Sequence, residues 1–339
     1  MGVTQLPVIG DAFARPLRDL RISVTDRCNF RCPYCMPEEI FGDGYRFSER
    51  SEVLRFEEIE RLVRLFVGLG VRKLRITGGE PLVRAQLPRF IERLSAYPVE
   101  DIALTTNGML LGRYAAELAQ AGLRRITISL DSLRPDVFSQ MSGGRGSLDG
   151  VLEGIAAAEA VGLPIKINCV VERGVNESSI RELAQHFRGT GHIVRYIEFM
   201  AVGTLNQWDQ KRVVPASEIL EQLRKHGSLE SVSPRYNGEV AKRYRWSDGS
   251  GEIGIIASVT QPFCGDCTRA RISADGHLFT CLYAATGVDL REPLRSGESD
   301  ETLLARIRSV WSDRKDRYSE ERSHGIGGGE RVEMYRIGG

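Results

Sequence analysis

Three cysteines in the stretch TDRCNFRCPYCM, residues 25–36, stand in a C-x3-C-x2-C spacing: Cys28, Cys32 and Cys35. A disulfide uses two sulfurs and a closed tetrahedral zinc site uses four ligands. Three sulfurs therefore point to a fourth ligand elsewhere or to a metal centre left open. Thiolates at this spacing can hold three irons of a four-iron, four-sulfur cluster, which leaves the fourth iron for a ligand that is not protein. Zinc completed by an unseen fourth ligand is the alternative. A second set, Cys264, Cys267 and Cys281, has a C-x2-C-x13-C spacing and again stops at three. Taken alone, it reads as zinc completed by a non-cysteine ligand such as His277; beside the first set, it reads as a second open cluster. The seventh cysteine, Cys169, lies in the apolar IKINCVV and reads as a small core residue.

The elements that must position these sulfurs follow a regular cadence. LRISVT (20–25), VRKLRIT (71–77), DIALTT (101–106), LRRITISLD (123–131), PIKINCVV (164–171) and HIVRYIEFM (192–200) read as strands. Helix-period segments alternate with them at 56–70, 87–97, 113–122, 148–162 and 176–189. Strand and helix in alternation predict a parallel sheet with helices outside, so the fold class is α/β. The expected form is an incomplete (β/α)6 barrel of the TIM type, although an open doubly wound sheet has the same cadence. After Met200 the rhythm breaks into polar, turn-rich and strand-like segments. The expected division is a barrel over 1–200 and a smaller C-terminal unit over 201–339.

Composition narrows the class. The chain has 339 residues, 42% of them hydrophobic, and a formal net charge of +1. That balance gives no global field for nucleic acid or an anionic membrane. No apolar run reaches a membrane span, and the first residues lack the basic and apolar regions of a secretory signal. Leu6 stands where a myristoylation signal wants Ser or Thr. The expectation is a soluble, cytoplasmic protein, in which clustered cysteines mean metal rather than disulfide.

The first cysteine motif, with Tyr34 before its last cysteine, resembles that of the radical S-adenosylmethionine (SAM) enzymes. GGEP (78–81) after the second strand and SLD (129–131) after the fourth extend the likeness, although GGEP alone reads as an ordinary strand-to-helix turn. The segments RPLRDLRISVTDRCNFRCPYCMP, LRITGGEPL, LTTNG, LRRITISLD, RYIEFM and FCGDCTRARIS, with Gly338–Gly339, narrow the likeness to a branch of that family that cyclises GTP for molybdenum cofactor biosynthesis.

The resemblance implies two 4Fe-4S clusters, one on Cys28, Cys32 and Cys35 and one on Cys264, Cys267 and Cys281. It implies SAM contacts from Tyr34, Gly79, Ser129 and Met200. GTP contacts are implied for Arg21, Arg75, Thr105, Lys166, Arg195, Arg269 and Arg271, with the guanine on the open iron of the second cluster. In such enzymes a 5′-deoxyadenosyl radical takes the hydrogen from C3′ of the ribose, and C3′ then bonds to C8 of guanine. The resemblance assigns catalytic roles to Arg269, Arg271, Gly338 and Gly339. It also implies an electron donor such as flavodoxin or ferredoxin, and a monomer or homodimer.

The residues themselves argue for the anion. Arg21, Lys166 and Arg195 lie inside apolar strands, where buried cations are costly unless paired. Arg269 and Arg271 are two apart, so in an extended segment they share a face. No G-x4-G-K-[ST] loop is present, which excludes a P-loop grip on the phosphates. The plainer possibility is that each cation pairs with a nearby Asp or Glu, and that the terminal glycines are a loose chain end. A radical SAM enzyme of another substrate class and a non-enzymatic zinc protein are the competing functions. The few C-terminal cysteines weigh against the former, and the absence of a basic, aromatic-laced stripe weighs against an RNA-binding form of the latter.

Overall fold

The computed structural model describes residues 8–236, 238–322 and 331–338. Its first six strands are β1 Asp19–Ser23, β2 Lys73–Thr77, β3 Asp101–Thr106, β4 Arg125–Ser129, β5 Ile165–Val171 and β6 Ile193–Glu198. They pair in chain order and all parallel, with helices between them as the cadence predicts. The helix Phe56–Gly68 shows why. Ile59, Leu62, Val63 and Phe66 recur at helical spacing and are all buried. At its start the Glu58 carboxylate accepts from Arg55 N at 2.6 Å. The helix Pro135–Met141, which opens on a proline at its first position, is not anticipated by periodicity.

The sheet does not stop at residue 200. Six further strands follow: β7 Leu229–Val232, β8 Lys242–Trp246, β9 Glu252–Ile256, β10 Arg269–Ile272, β11 His277–Phe279 and β12 Val288–Asp289. The order across the 12-stranded sheet is β12-β11-β10-β1-β2-β3-β4-β5-β6-β9-β8-β7. β10 joins β1 and β9 joins β6, each parallel, while the outer hairpins are antiparallel. The C-terminal region thus extends the parallel section on both flanks rather than packing beside it. Leu20, Ile22, Leu74, Ile76, Ile126 and Ile167 are buried in the main core. The intervening residues of the same strands face the lumen, and there the charges lie.

Candidate active site

The first cysteine loop follows β1 and lies at the C-terminal ends of the parallel strands, the end that carries chemistry in such folds. Cys35 N and Met36 N both donate to Cys32 O, at 2.9 and 2.8 Å. GGEP serves this loop through its backbone. Gly79 N donates to Thr25 O and Glu80 N to Arg27 O, each at 2.8 Å. A Cβ at Gly79 would collide with Arg27 O, and one at Gly78 would sit 2.6 Å from Thr25 O. The close backbone approach that glycine permits is made here to the cysteine loop. Glu80 is wholly buried and accepts from Leu82 N at 3.0 Å, Thr106 Oγ1 at 2.8 Å and Asn107 N at 2.7 Å. Burial outweighs these bonds and pushes its carboxyl up to about 7.

Tyr34 donates its hydroxyl to Asp131 Oδ2 at 3.0 Å, which ties the cysteine loop to the SLD segment. Burial lifts the Cys28 thiol to about 12. It lifts Cys32 and Cys35 as well, and neighbouring thiols add to the effect. Three thiols so placed are poor thiolates by themselves, and a bound cationic metal centre reverses that preference.

The second set is gripped from outside. Arg15 Nη1 donates to Cys264 O at 2.7 Å and Arg314 Nη1 to Cys267 O at 2.8 Å. The buried Asp11 carboxylate sits between the two, 2.6 Å from Arg15 Nε and 3.2 Å from Arg314 Nη1. Burial raises the Cys267 thiol, but Arg269 and Arg314 outweigh it and draw the group down to about 6. Arg269 Nη2 donates to Cys267 Sγ at 3.3 Å. Burial pushes Cys281 up to about 12. His277, the alternative fourth ligand, is engaged with Asp275, Nδ1 to Oδ2 3.4 Å. Among the described residues no three Cys, His, Asp or Glu side chains converge on a single-ion site. Each triad offers three thiols.

Beside the second triad lies a cavity lined by Arg21, Arg75, Lys166, Arg195, Arg269 and Arg271 together with Cys264, Cys267 and Cys281. Strand register builds the basic wall. Arg21 pairs with Arg75 on one side and with Arg271 on the other. Asp19 is opposite Arg269, Thr127 opposite Lys166, and Asn168 opposite Arg195. Like charges directly opposite one another are destabilising. Among the described residues, these six cations make no ion pair with a carboxylate within 4.0 Å. Arg75 Nη1 reaches only the hydroxyls of Thr105 and Thr127, at 3.3 and 3.4 Å, and Arg195 Nη2 reaches that of Thr127 at 3.2 Å.

Burial, then repulsion from Arg271, Arg75 and Arg269, holds Arg21 well below the usual guanidinium range. Burial followed by Arg195 and Arg125 brings Lys166 down to about 7. Burial with Arg75 brings Arg195 to about 9. A polyanion placed here would oppose every one of these shifts.

Met200 lines the same cavity and packs against the cluster of Ile197, Ala241 and Ile256. Ser129 ends β4 opposite Asn168. Gly338 reaches the cavity wall: Arg271 Nη1 donates to its carbonyl, and a Cβ there would collide with Thr77 Cγ2. Gly339 lies outside the described residues. Sequence reasoning missed Lys73, Thr127 and Asn168. Lys73 and Asn168 line the cavity and Thr127 braces the arginines. Strand alternation could have found them, since Lys73 is two residues from Arg75 and Asn168 two from Lys166.

Two family models match the chain: the radical SAM superfamily over residues 22–187 and Molybdenum Cofactor Synthesis C over 192–320. A GTP 3′,8-cyclase of Xanthomonas axonopodis pv. citri is 53% identical, covering 97% of this chain and 98% of the relative. A GTP 3′,8-cyclase of Acidothermus cellulolyticus is 55% identical over 93% of this chain and 89% of that one. Among solved structures, Streptococcus suis SuiB bound to S-adenosylmethionine superposes with a TM-score of 0.62 at 15% identity. It covers 87% of this chain and 69% of SuiB, a likeness of fold alone.

Proposed function

The chain belongs to the radical SAM superfamily and, within it, to the GTP 3′,8-cyclases, and on that premise we propose how its residues serve the reaction. The enzyme converts GTP to (8S)-3′,8-cyclo-7,8-dihydroguanosine 5′-triphosphate, the first step of molybdenum cofactor biosynthesis. Cys28, Cys32 and Cys35 would hold a 4Fe-4S cluster, which would supply the electron for reductive cleavage of SAM. Tyr34, Gly79, Ser129 and Met200 line the SAM. Cys264, Cys267 and Cys281 would hold a second cluster, on the side of the cavity that would receive the guanine. The wider division is a SAM barrel over 1–200 and a substrate-side region over 201–339.

The observation that carries this reading is the layer Arg271–Arg21–Arg75, unpaired with any carboxylate among the described residues and beside the second triad. A triphosphate supplies the missing charge, and guanidinium forks suit its oxygens. Lys166, Arg195 and Arg269 complete the grip, and Thr105 orients Arg75. With the phosphates held low in the lumen and the base at the second triad, the ribose lies between them. Arg269, which donates to Cys267, and Arg271, which donates to Gly338, are the cations of that grip beside the second triad, and one of them would assist a proton or electron step late in the reaction. Walls of protein exclude water and competing hydrogen donors. The electron comes from a donor of the flavodoxin or ferredoxin class, and the chain works as a monomer or homodimer. Among the described residues no helix is long and apolar enough to cross a membrane.

The test is anaerobic reconstitution followed by SAM, a reductant and GTP. The reading predicts about eight irons per chain, the content of two four-iron clusters, and the cyclic triphosphate as product. Cys281→Ser should still bind SAM while losing GTP cyclisation. Cyclisation by that variant at the wild-type rate contradicts the assignment of the second triad.

A further inference from the structure

Residues 331–338 form a strap that touches both cysteine sets. Its helix, Met334–Ile337, is a single turn, too short to hold itself. Its place is fixed by what it packs on. Tyr335 is buried against Met36 and Phe41, in a cluster that Cys28 and Cys35 border. The Phe41 and Tyr335 rings meet edge to face at 5.0 Å, and the Tyr45 and Tyr335 hydroxyls are 2.9 Å apart. Two residues on, Ile337 is wholly inaccessible and packs with Phe279 and Ala284 beside Cys281. Then comes Gly338, bonded to Arg271 and pressed on Thr77. Outer ties complete the seat: Arg336 to Asp275 at 2.8 Å, and Thr204 N to Glu333 Oε1 at 2.8 Å.

We propose that Tyr335 and Tyr45 are positioning residues that couple the seating of Gly338 on Arg271, at the wall of the cavity, to the order of the first cysteine loop. The loop from Cys28 to Phe47 has little regular structure beyond the turn Glu38–Phe41. Its aromatic residues Phe41, Tyr45 and Phe47 meet in sequence at tilted and edge-on angles, and Tyr335 joins them edge-on at Phe41. Whatever orders this loop therefore also orders the strap. The coupling is reciprocal by thermodynamic necessity, so loss of the strap joint loosens the loop that carries Cys32 and Cys35. The strap reports that the first site is assembled and then places a carbonyl on Arg271. This rests on the reading that Gly338 lies in the GTP site.

The test is backbone hydrogen exchange on the full-length, iron-loaded chain without nucleotide, comparing wild type, Tyr335→Phe, Tyr335→Ala and Tyr45→Phe. Loss of one hydroxyl contact should speed exchange in both 331–338 and 36–47 by about two- to tenfold, with the alanine variant faster still. The first cluster in Tyr335→Ala should also lose iron faster to a chelator. Faster exchange in the strap alone, with 36–47 and iron release unchanged, overturns the proposal. GTP added in a separate arm should slow exchange around Arg269–Ile272. A missing effect there would refute the substrate reading and leave the joint to be judged on the nucleotide-free data.

Discussion

Arg21 stands between Arg75 and Arg271 in one layer of the sheet, and its charge raises the energy of both neighbours until an anion arrives. Arg21→Met should therefore stabilise the nucleotide-free chain by about 1–4 kcal/mol, as apolar replacement of buried charge often does. The same change should weaken GTP binding by about ten- to a hundredfold, the worth of a lost charge-assisted bond. Melting curves with and without GTP read both effects, and a destabilised apo form would count against the repulsion argument.

Lys166 makes a pH prediction of definite sign. With its ammonium drawn down to about 7 in the empty cavity, the unfolded chain binds more protons than the folded one above that pH. Apo stability should therefore rise with pH from about 7 toward the ordinary lysine value of about 10.4. Bound phosphate restores the charge, so GTP binding at pH 8 should take up about one proton and at pH 6 almost none from this residue. Calorimetry in two buffers of different ionisation heat measures it, and Lys166→Met should remove the uptake of about one proton at pH 8.

At the scale of elements, the strand-and-turn units decide which groups meet. Gly79 admits the backbone of the cysteine loop where any Cβ would strike Arg27 O. Gly79→Ala should push that loop aside and leave the chain with about half its iron, since only the first cluster is affected. Wild-type iron content in that variant would contradict the packing argument. This level also shows how far the sequence could be read. The alternation of LRISVT and PIKINCVV reveals Arg21 and Lys166 as charges on a lumen-facing row. Their exact neighbours could not be read, because β10 lies some 250 residues from β1 in the chain and pairing register leaves no local signal. GGEP was visible as a motif, while its backbone service to Thr25 and Arg27 depended on how two loops cross.

Across the whole molecule, the strands contributed after residue 200 close both flanks of the parallel section. The change of rhythm at Met200 marks a change of connection rather than a break in the sheet. A chain ended after residue 200 would expose β1 and β6 as long unpaired edges. It should aggregate or remain unfolded, as size-exclusion chromatography and circular dichroism would show, and a folded monomer would count against the single-sheet description. The C-terminal region also brings Arg269, Arg271, the second triad and Gly338 to one wall of the lumen. More than half of the residues lining the cavity thus come after residue 200, from segments that a reading of the barrel alone cannot supply.

The central claim is that this lumen holds the GTP ribose within reach of the radical formed from SAM. The most direct measurement is turnover of GTP carrying deuterium at C3′ by the anaerobically reconstituted enzyme, with the recovered 5′-deoxyadenosine analysed by mass. The account predicts that the deuterium moves into 5′-deoxyadenosine as the cyclic triphosphate forms. Product formed with unlabelled 5′-deoxyadenosine would mean that the hydrogen leaves from another position and would contradict the account.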